Sequence, residues 1–390
     1  MTKSTLKASS ADTWVNCTGS VKLALQFPAI ESGEGVSEAL LEGRAFHEVA
    51  ERILNAYKVP GGELVSSGNI VGTLSRDNIV ITDEMYDAAL EYTNDVLRVA
   101  NVNGTMREIH VEERVDLSCV YAGMYGYADC WLLDAKANTL YIWDAKYGHR
   151  AVDAFENWQL IAYAAGLTER VNGAMDRDLN VSLRVSQPRS FRSGGTTQVW
   201  NCKASDLRGY INTLKSAAAE AYSDAAACKV GRQCDYCPAR YACPALQQAA
   251  YGGADYVSAA EGVSLSGHHL ALELRILKSA ERAIKARLSG IEEQALAEIR
   301  SGAVLPGFIG EQGYGRKRWR KDTPHAEVIM MGDLLGIDLR KPVELDTPTQ
   351  AIKKGIDASV IEAYSETPTT GLKLVEDTGA KARNVFRKLV

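Results

Sequence analysis

The sequence predicts an α/β fold with a helical extension at its C-terminal end. Tyr125 to Leu133 and Thr139 to Trp143 are rich in aromatic and branched residues, and the polar turn Asp134-Ala-Lys-Ala-Asn138 lies between them, the signature of a β-hairpin. Apolar residues at three- and four-residue steps on either side of this hairpin predict flanking helices. Leu270, Leu274, Leu277, Ile284, Leu288, Ile291 and Ala295 repeat that spacing, predicting a long amphipathic helix from about Ser266 to Arg300.

Taken in order, residues 8 to 58 read as helical, interrupted by the Gly/Ser/Glu-rich Glu31-Ser-Gly-Glu-Gly35. Thr82 to Asn101 has helical apolar spacing, residues 106 to 146 form the strand core, and Asn157 to Leu167 is a further helix. Leu179 to Ser186 and Thr196 to Cys202 alternate like two more strands, joined by an arginine-rich loop. Ser205 to Ala227 is an alanine-rich helix with Ser205 as its N-cap. A boundary near Gly252-Gly253 divides residues 1–250 from a mainly helical 251–390, which ends in small helices and turns such as Thr347-Pro-Thr-Gln-Ala-Ile-Lys353.

With 390 residues, 46% hydrophobic and 24% charged, the chain has the composition of a soluble globular protein of one or two domains. A net charge of −5 excludes a global basic field, so a nucleic-acid partner needs a local positive groove. Lys146, His149, Arg150, Arg184, Arg189 and Arg192 are candidates for its lining, with solvated loop charge as the alternative. Gly315-Arg-Lys-Arg-Trp-Arg-Lys321 offers basic residues around Trp319 for phosphates and an unpaired base, or a solvated strand edge. The polar start and the lack of a run long enough to span a bilayer predict no membrane partner and a cytoplasmic location.

The chemistry concentrates in Gly126-Tyr-Ala-Asp129 and Asp144-Ala-Lys146. In the hairpin Asp129 and Asp144 can converge on one point, and Asp144 and Lys146 project from the same face of their strand. Two carboxylates hold a hard divalent cation through oxygen. A lysine beside them orients a water or offsets developing negative charge, which is equipment for metal-assisted phosphodiester hydrolysis. Gln159 and Tyr163 share one helix face, and the helical stretch Glu42 to Glu51 offers His47 as a third ligand. Taken singly, each piece is an ordinary exposed strand, helix face or packing residue.

Together and in this order they resemble the RecB-like branch of the PD-(D/E)XK nuclease family. Its pattern of a helical histidine, G-x-x-D, D-x-K and Q-x-x-x-Y is met by His47, Gly126 with Asp129, Asp144 with Lys146, and Gln159 with Tyr163. The start Trp14-Val-Asn-Cys-Thr-Gly-Ser20 is similar to phage and prophage members, and the likeness runs along most of residues 8 to 250. The resemblance implies a restriction-endonuclease-like core, a central mixed sheet flanked by helices. It implies Mg²⁺ or Mn²⁺ held by His47, Asp129, Asp144 and the carbonyl of Ala145, with Asp129, Asp144, Lys146 and a strand glutamate as catalytic residues. Glu112 is favoured for that glutamate, although simple alternation would put Glu113 on the face of Val111 and Val115. Gln159, Tyr163, Arg150, Arg189 and Arg192 would contact nucleic acid. The implied activity is DNA hydrolysis, foremost by an exonuclease of phage-type recombination, replication or processing. The partners are then DNA and a single-strand annealing protein, helicase or other recombination factor, in the bacterial host cytoplasm if the protein is phage-encoded. The alternatives are a catalytically silent DNA-binding accessory and a zinc-stapled interaction module.

Cys234, Cys237 and Cys243 form C-x2-C-x5-C, three thiolates that need a fourth ligand. Some RecB-like nucleases, including AddB and CRISPR-adaptation exonucleases, carry one cysteine before the core and three after it, holding a [4Fe-4S] cluster that staples the domain ends. By that resemblance Cys17 is the fourth ligand. Cys228 competes for the place and Zn²⁺ competes as the metal. Cys119, Cys130 and Cys202 read as lone thiols.

Overall fold

The computed structural model describes residues 6–30, 38–58, 65–102, 105–172, 178–190, 195–258, 267–311, 325–334, 360 and 364. Strands form where branched and aromatic residues cluster: β1 His110–Asp116, β2 Tyr125–Asp134, β3 Thr139–Ala145, β4 Asn180–Ser186 and β5 Thr197–Lys203. They make one mixed sheet in the order β1-β2-β3-β4-β5. Only β3 and β4 run parallel. The hairpin turn between β2 and β3 is built as its sequence suggests. Asp134 Oδ1 accepts the Lys136 and Ala137 N–H groups, each at 3.1 Å, and Asn138 takes a left-handed φ of 50°, which asparagine tolerates.

The helices are α1 Ala11–Asn16, α2 Gly19–Gln26, α3 Glu38–Lys58, α4 Asp83–Ala100, α5 Trp158–Asn172, α6 Arg208–Tyr222, α7 Pro244–Ser258 and α8 Gly267–Arg300. A parallel strand cannot be reached by a tight turn, and α5 supplies the crossover from β3 to β4. Asn157 starts α5, its Oδ1 accepting from Gln159 N at 3.0 Å and Leu160 N at 3.1 Å. The expected cap at Ser205 is replaced by a 3-10 turn, Ala204–Leu207, because the Asp206 carboxylate accepts the Lys203 N–H at 2.9 Å and the Ser205 hydroxyl bonds Asp178 instead. α6 stops at Tyr222, short of Ala227, where the Ser223 hydroxyl accepts the Ala225 N–H at 3.2 Å and competes with the helix.

The sheet is buried on both faces. Leu160, Ile161, Tyr163 and Ala164 of α5, with Leu214 and Ala218 of α6, cover Leu140, Ile142, Leu183 and Val185. On the other face, Phe46, Val49 and Ile53 of α3 and Met85, Ala89 and Tyr92 of α4 cover Cys130, Leu132, Trp143 and Ala145. Asp95 of α4 is buried as well, accepting from Trp143 Nε1 at 2.8 Å and from Arg184 Nη1 at 3.0 Å.

The spacing that predicts a helix to Arg300 is realised in α8, yet the leucine and isoleucine stripe is not its buried face. Ala283 and Ala286 are buried, and Gly290 lies against the Tyr241 backbone, while Leu277, Leu288 and Ile291 are exposed. Small residues let α8 approach its neighbours more closely than a leucine stripe would. Gly252 and Gly253, expected at a boundary, lie inside α7, and the chain divides into compact units at Met1–Phe308 and Ile309–Val390. The second unit contains α9, His325–Leu334. The basic stretch 315–321, residues 347–353 and Arg192 lie outside the described residues. Among the described residues no helix is long and apolar enough to cross a membrane.

Candidate metal centres

Strand register sets the first site. Val111 pairs with Cys130 and Glu113 with Ala128, so Glu112 stands opposite Asp129. Cys130 pairs with Trp143 at the end of the β2–β3 ladder, so Asp129 and Asp144 lie one step beyond it on adjacent strands. Three carboxylates thus form one row across β1, β2 and β3. Like charges directly opposite one another destabilise a sheet, so this row calls for a cation.

The row sits where the strands change phase. Glu112 has a φ of 48°, in the left-handed region, which costs about 1–3 kcal/mol for a non-glycine residue. Before and after it the alternation shifts: Val111 packs with the α3 and α4 cluster, whereas Val115 packs with the α5 cluster. Glu113 is turned toward α5, pairing with Arg170 at 2.8 Å and His110 at 2.7 Å, and this frees Glu112 to face α3. The same shift passes through Asp129, since Ala128 and Trp131 share the α5 cluster while Cys130 belongs to the other. Asp129 Oδ2 accepts the Ala145 N–H at 2.6 Å, tying β2 to β3 at that point.

His47 comes from α3, its neighbour Phe46 stacked on Tyr147 with centroids 4.9 Å apart. Its Nδ1 is 3.3 Å from Glu112 Oε1 and 3.8 Å from Asp129 Oδ1. Ligand atoms of His47, Glu112 and Asp129 all lie within 4.8 Å of one another, a spread that one divalent ion with mixed N and O ligands can span. Asp144 Oδ1 accepts from Lys146 Nζ at 2.7 Å, and its Oδ2 is buried without a partner. Lys146 Nζ also donates to Gln159 Oε1 at 3.2 Å. The Tyr163 hydroxyl donates to the Tyr127 carbonyl at 2.5 Å. Gly126 lets that ring lie on β2, since a Cβ there would sit 2.8 Å from it.

The second site joins the segment around Cys17 to residues 227–243. Cys17, Cys228, Cys234, Cys237 and Cys243 line one cavity, with Gln233, Arg240 and Leu246 among its other walls. All are free thiols. Local bonds hold the two segments together: Gly19 N donates to Ala227 O at 3.1 Å, and Lys229 N to Cys17 Sγ at 3.3 Å. Among the described residues the acid site is the only group of three or more ligand atoms within 4.8 Å of one another.

The family described as "Protein of unknown function (DUF2800)" matches residues 3–380. The chain belongs to the DUF2800 family. The match takes in both candidate centres and most of the second unit.

In this DUF2800 chain burial and charge shift several groups of the site. Burial raises Asp129 and Asp144, only partly offset by His47 and Lys146 for the first and by Lys146 for the second. Burial pulls Lys146 down, but Asp144 and Asp129 outweigh it and hold the ammonium charged. Burial likewise opposes charge on His47, and Asp129 and Glu112 overcome it, raising the imidazole to about 9. Excess negative charge held out of water is what a bound cation would neutralise. In the cysteine cavity burial pushes Cys237 to about 11, and burial with Cys243 and Cys17 nearby pushes Cys228 to about 12.

Several expected nucleic-acid contacts are occupied within the fold. Tyr163 is buried and its hydroxyl is spent on a carbonyl, so it supports β2 from inside. Gln159 holds Lys146. Arg189 pairs with Glu42 and Glu84 while lying over Tyr147, and Arg150 pairs with Asp235 over Tyr236. Arg184 is held by Asp95 in the core. In each case a nearby carboxylate satisfies the guanidinium at shorter range than a groove would. Tyr147, which links Phe46 to Arg189 and so braces His47, escapes sequence reasoning; its only signal is its place directly after Asp144-Ala-Lys146.

Proposed function

We propose that the chain is a metal-dependent deoxyribonuclease of the RecB-like PD-(D/E)XK type, acting as an exonuclease on DNA in recombination, replication or processing. The observation that carries this reading is the row Glu112, Asp129 and Asp144 across three strands, with His47 above it and Lys146 beside it. The partnerless Asp144 Oδ2 and the compact His47, Glu112 and Asp129 set fit Mg²⁺ or Mn²⁺, and the imidazole favours Mn²⁺. When bound, such an ion polarises the phosphoryl oxygen and makes water a stronger nucleophile at neutral pH.

The chain's own groups do the rest. Lys146 is protonated at neutral pH, so it serves as a fixed cation and donor facing the developing phosphate charge, rather than as a base. Asp144 and Gln159 hold its Nζ from two directions, which limits its reorganisation during the reaction. Asp129 uses one oxygen to fix the Ala145 backbone and leaves the other toward His47. Tyr163 holds β2 two residues from Asp129.

We infer a [4Fe-4S] cluster on Cys17, Cys234, Cys237 and Cys243, the buried four of the five cysteines that line the cavity, with Zn²⁺ as the competing metal. Iron and sulfide analysis of anaerobically purified protein tests this, and zinc alone would refute it. For the activity, end-labelled linear and circular DNA are incubated with Mn²⁺, Mg²⁺ or EDTA, with Asp144→Ala as control. Loss of linear DNA that needs metal and Asp144, with circles spared, is expected. Metal-dependent cleavage retained by Asp144→Ala sinks the assignment, and binding without cleavage by the parent protein favours a silent accessory.

A further inference from the structure

From Tyr125 to Ala128 the residues of β2 alternate toward the two faces, and Gly126 and Ala128 point to α5, where Tyr163 and the α5 cluster meet them. Tyr125 and Tyr127 therefore face the opposite side of the sheet, and Tyr127 stands two residues along the strand from Asp129. Tyr127 is 54% exposed, a large value for an aromatic ring two residues from a candidate metal ligand. Tyr125 meets it edge-to-face with centroids 6.3 Å apart, and exposed Arg114, paired with Tyr127 across β1 and β2, lies 4.4 Å over the Tyr125 ring. Tyr127's backbone is already used, its carbonyl holding Tyr163, but its side chain has no structural task that burial would indicate.

The charge pattern decides what such a track would bind. The chain is net acidic, and Arg150, Arg184 and Arg189 are engaged by carboxylates. A duplex, held mainly through its phosphates, gains little from this surface. An unpaired strand presents base faces, which stack on aromatic rings and guanidinium planes without needing a basic groove.

We propose that Tyr127, braced by Tyr125 and Arg114, is a base-stacking subsite that seats an unpaired nucleotide next to the acid row, making single-stranded nucleic acid the preferred ligand. It rests on the nuclease reading for the role of the acid row, but stacking is measurable without hydrolysis. The full-length protein is titrated in EDTA with a fluorescein-labelled oligothymidylate and with a blunt duplex, following anisotropy. Single-strand binding tighter than duplex binding is expected, with Tyr127→Ala raising the single-strand Kd roughly 5- to 100-fold. Tyr127→Phe should keep the parent affinity because the ring stacks, and Arg114→Ala should give a smaller loss. Unchanged thermal melting of the variants separates lost stacking from misfolding. Equal single-strand affinity for Tyr127→Ala and parent overturns the proposal, as does equal or tighter duplex binding, or no DNA binding by the parent. If stacking is found but no metal-dependent cleavage, the nuclease reading fails and the subsite stands. Cleavage that needs Asp144 but ignores Tyr127 gives the reverse.

Discussion

Glu112 carries a conformational cost that the proposed metal site would explain. Its left-handed φ of 48° and its place opposite Asp129 are each unfavourable in the metal-free protein. Glycine relieves both. At pH 10, where His47 is neutral and its pairing with Glu112 no longer counts, Glu112→Gly should therefore raise metal-free stability by a net of about 1 kcal/mol after the added chain entropy of glycine. It should also weaken Mn²⁺ binding by more than the roughly 10- to 100-fold that loss of an outer-shell partner costs. Calorimetric melts and titrations read both, and a lower metal-free melting temperature at pH 10 would argue against strain. His47 gives a pH signature. Its folded pKa of about 9 lies above the usual 6.5, so in metal-free protein its contribution to stability is fully present below pH 6.5 and is lost as pH rises through 9. A metal ligand must be the neutral imidazole, so Mn²⁺ binding near pH 7 should release about one proton and tighten about tenfold per pH unit toward 9. Titrations in buffers of different ionisation enthalpy measure that proton, and His47→Gln should abolish its release.

At the scale of elements, close approach of α5 to the sheet sets the site, and two glycines permit it. A Cβ on Gly166 would lie 2.2 Å from the Asp116 carbonyl oxygen, a backbone atom that cannot swing away. Gly166→Ala should shift α5 and cost at least about 1–3 kcal/mol in denaturant unfolding. A Cβ on Gly126 would meet the Tyr163 ring at 2.8 Å, and a side chain can move. Gly126→Ala should thus lose less stability than Gly166→Ala, yet lower cleavage because Tyr163 releases the Tyr127 carbonyl. The opposite ranking in stability would show that the Tyr163 contact, and not the α5 approach, governs packing. The long helix α8 teaches a different point. Its three- and four-residue apolar steps predict a helix from about Ser266 to Arg300 and the helix runs Gly267–Arg300, but the buried side is Ala283, Ala286 and Gly290. Periodicity reports that a helix forms, while the partner's shape chooses the face.

For the whole molecule, the cysteine cavity joins Cys17 near the start of the chain to Cys243 beyond the sheet. Closing so long a loop removes much freedom from the unfolded chain, and a cluster that binds only the folded state adds its binding energy to stability. Cys234→Ala should therefore lose iron, lower the melting temperature and speed proteolysis between the two ends, whereas Asp144→Ala should abolish cleavage with iron content intact. A Cys234→Ala protein as stable as its parent would refute the staple.

Much of this was legible along the chain. The α/β class, the hairpin, the long helix and the residues Asp129, Asp144 and Lys146 follow from local alternation, turn chemistry and short spacings, all of which act between near neighbours. The choice of Glu112 over Glu113 did not, because a single left-handed residue reverses the alternation beyond it and no pattern of side chains announces a backbone torsion. Nor did the fate of Arg150, Arg184, Arg189 and Tyr163, whose partners lie on distant elements. Local sequence sets which groups exist and which face of a strand they begin on. Only the packed sheet decides which charges meet, since pairing depends on register and on the helices laid across it.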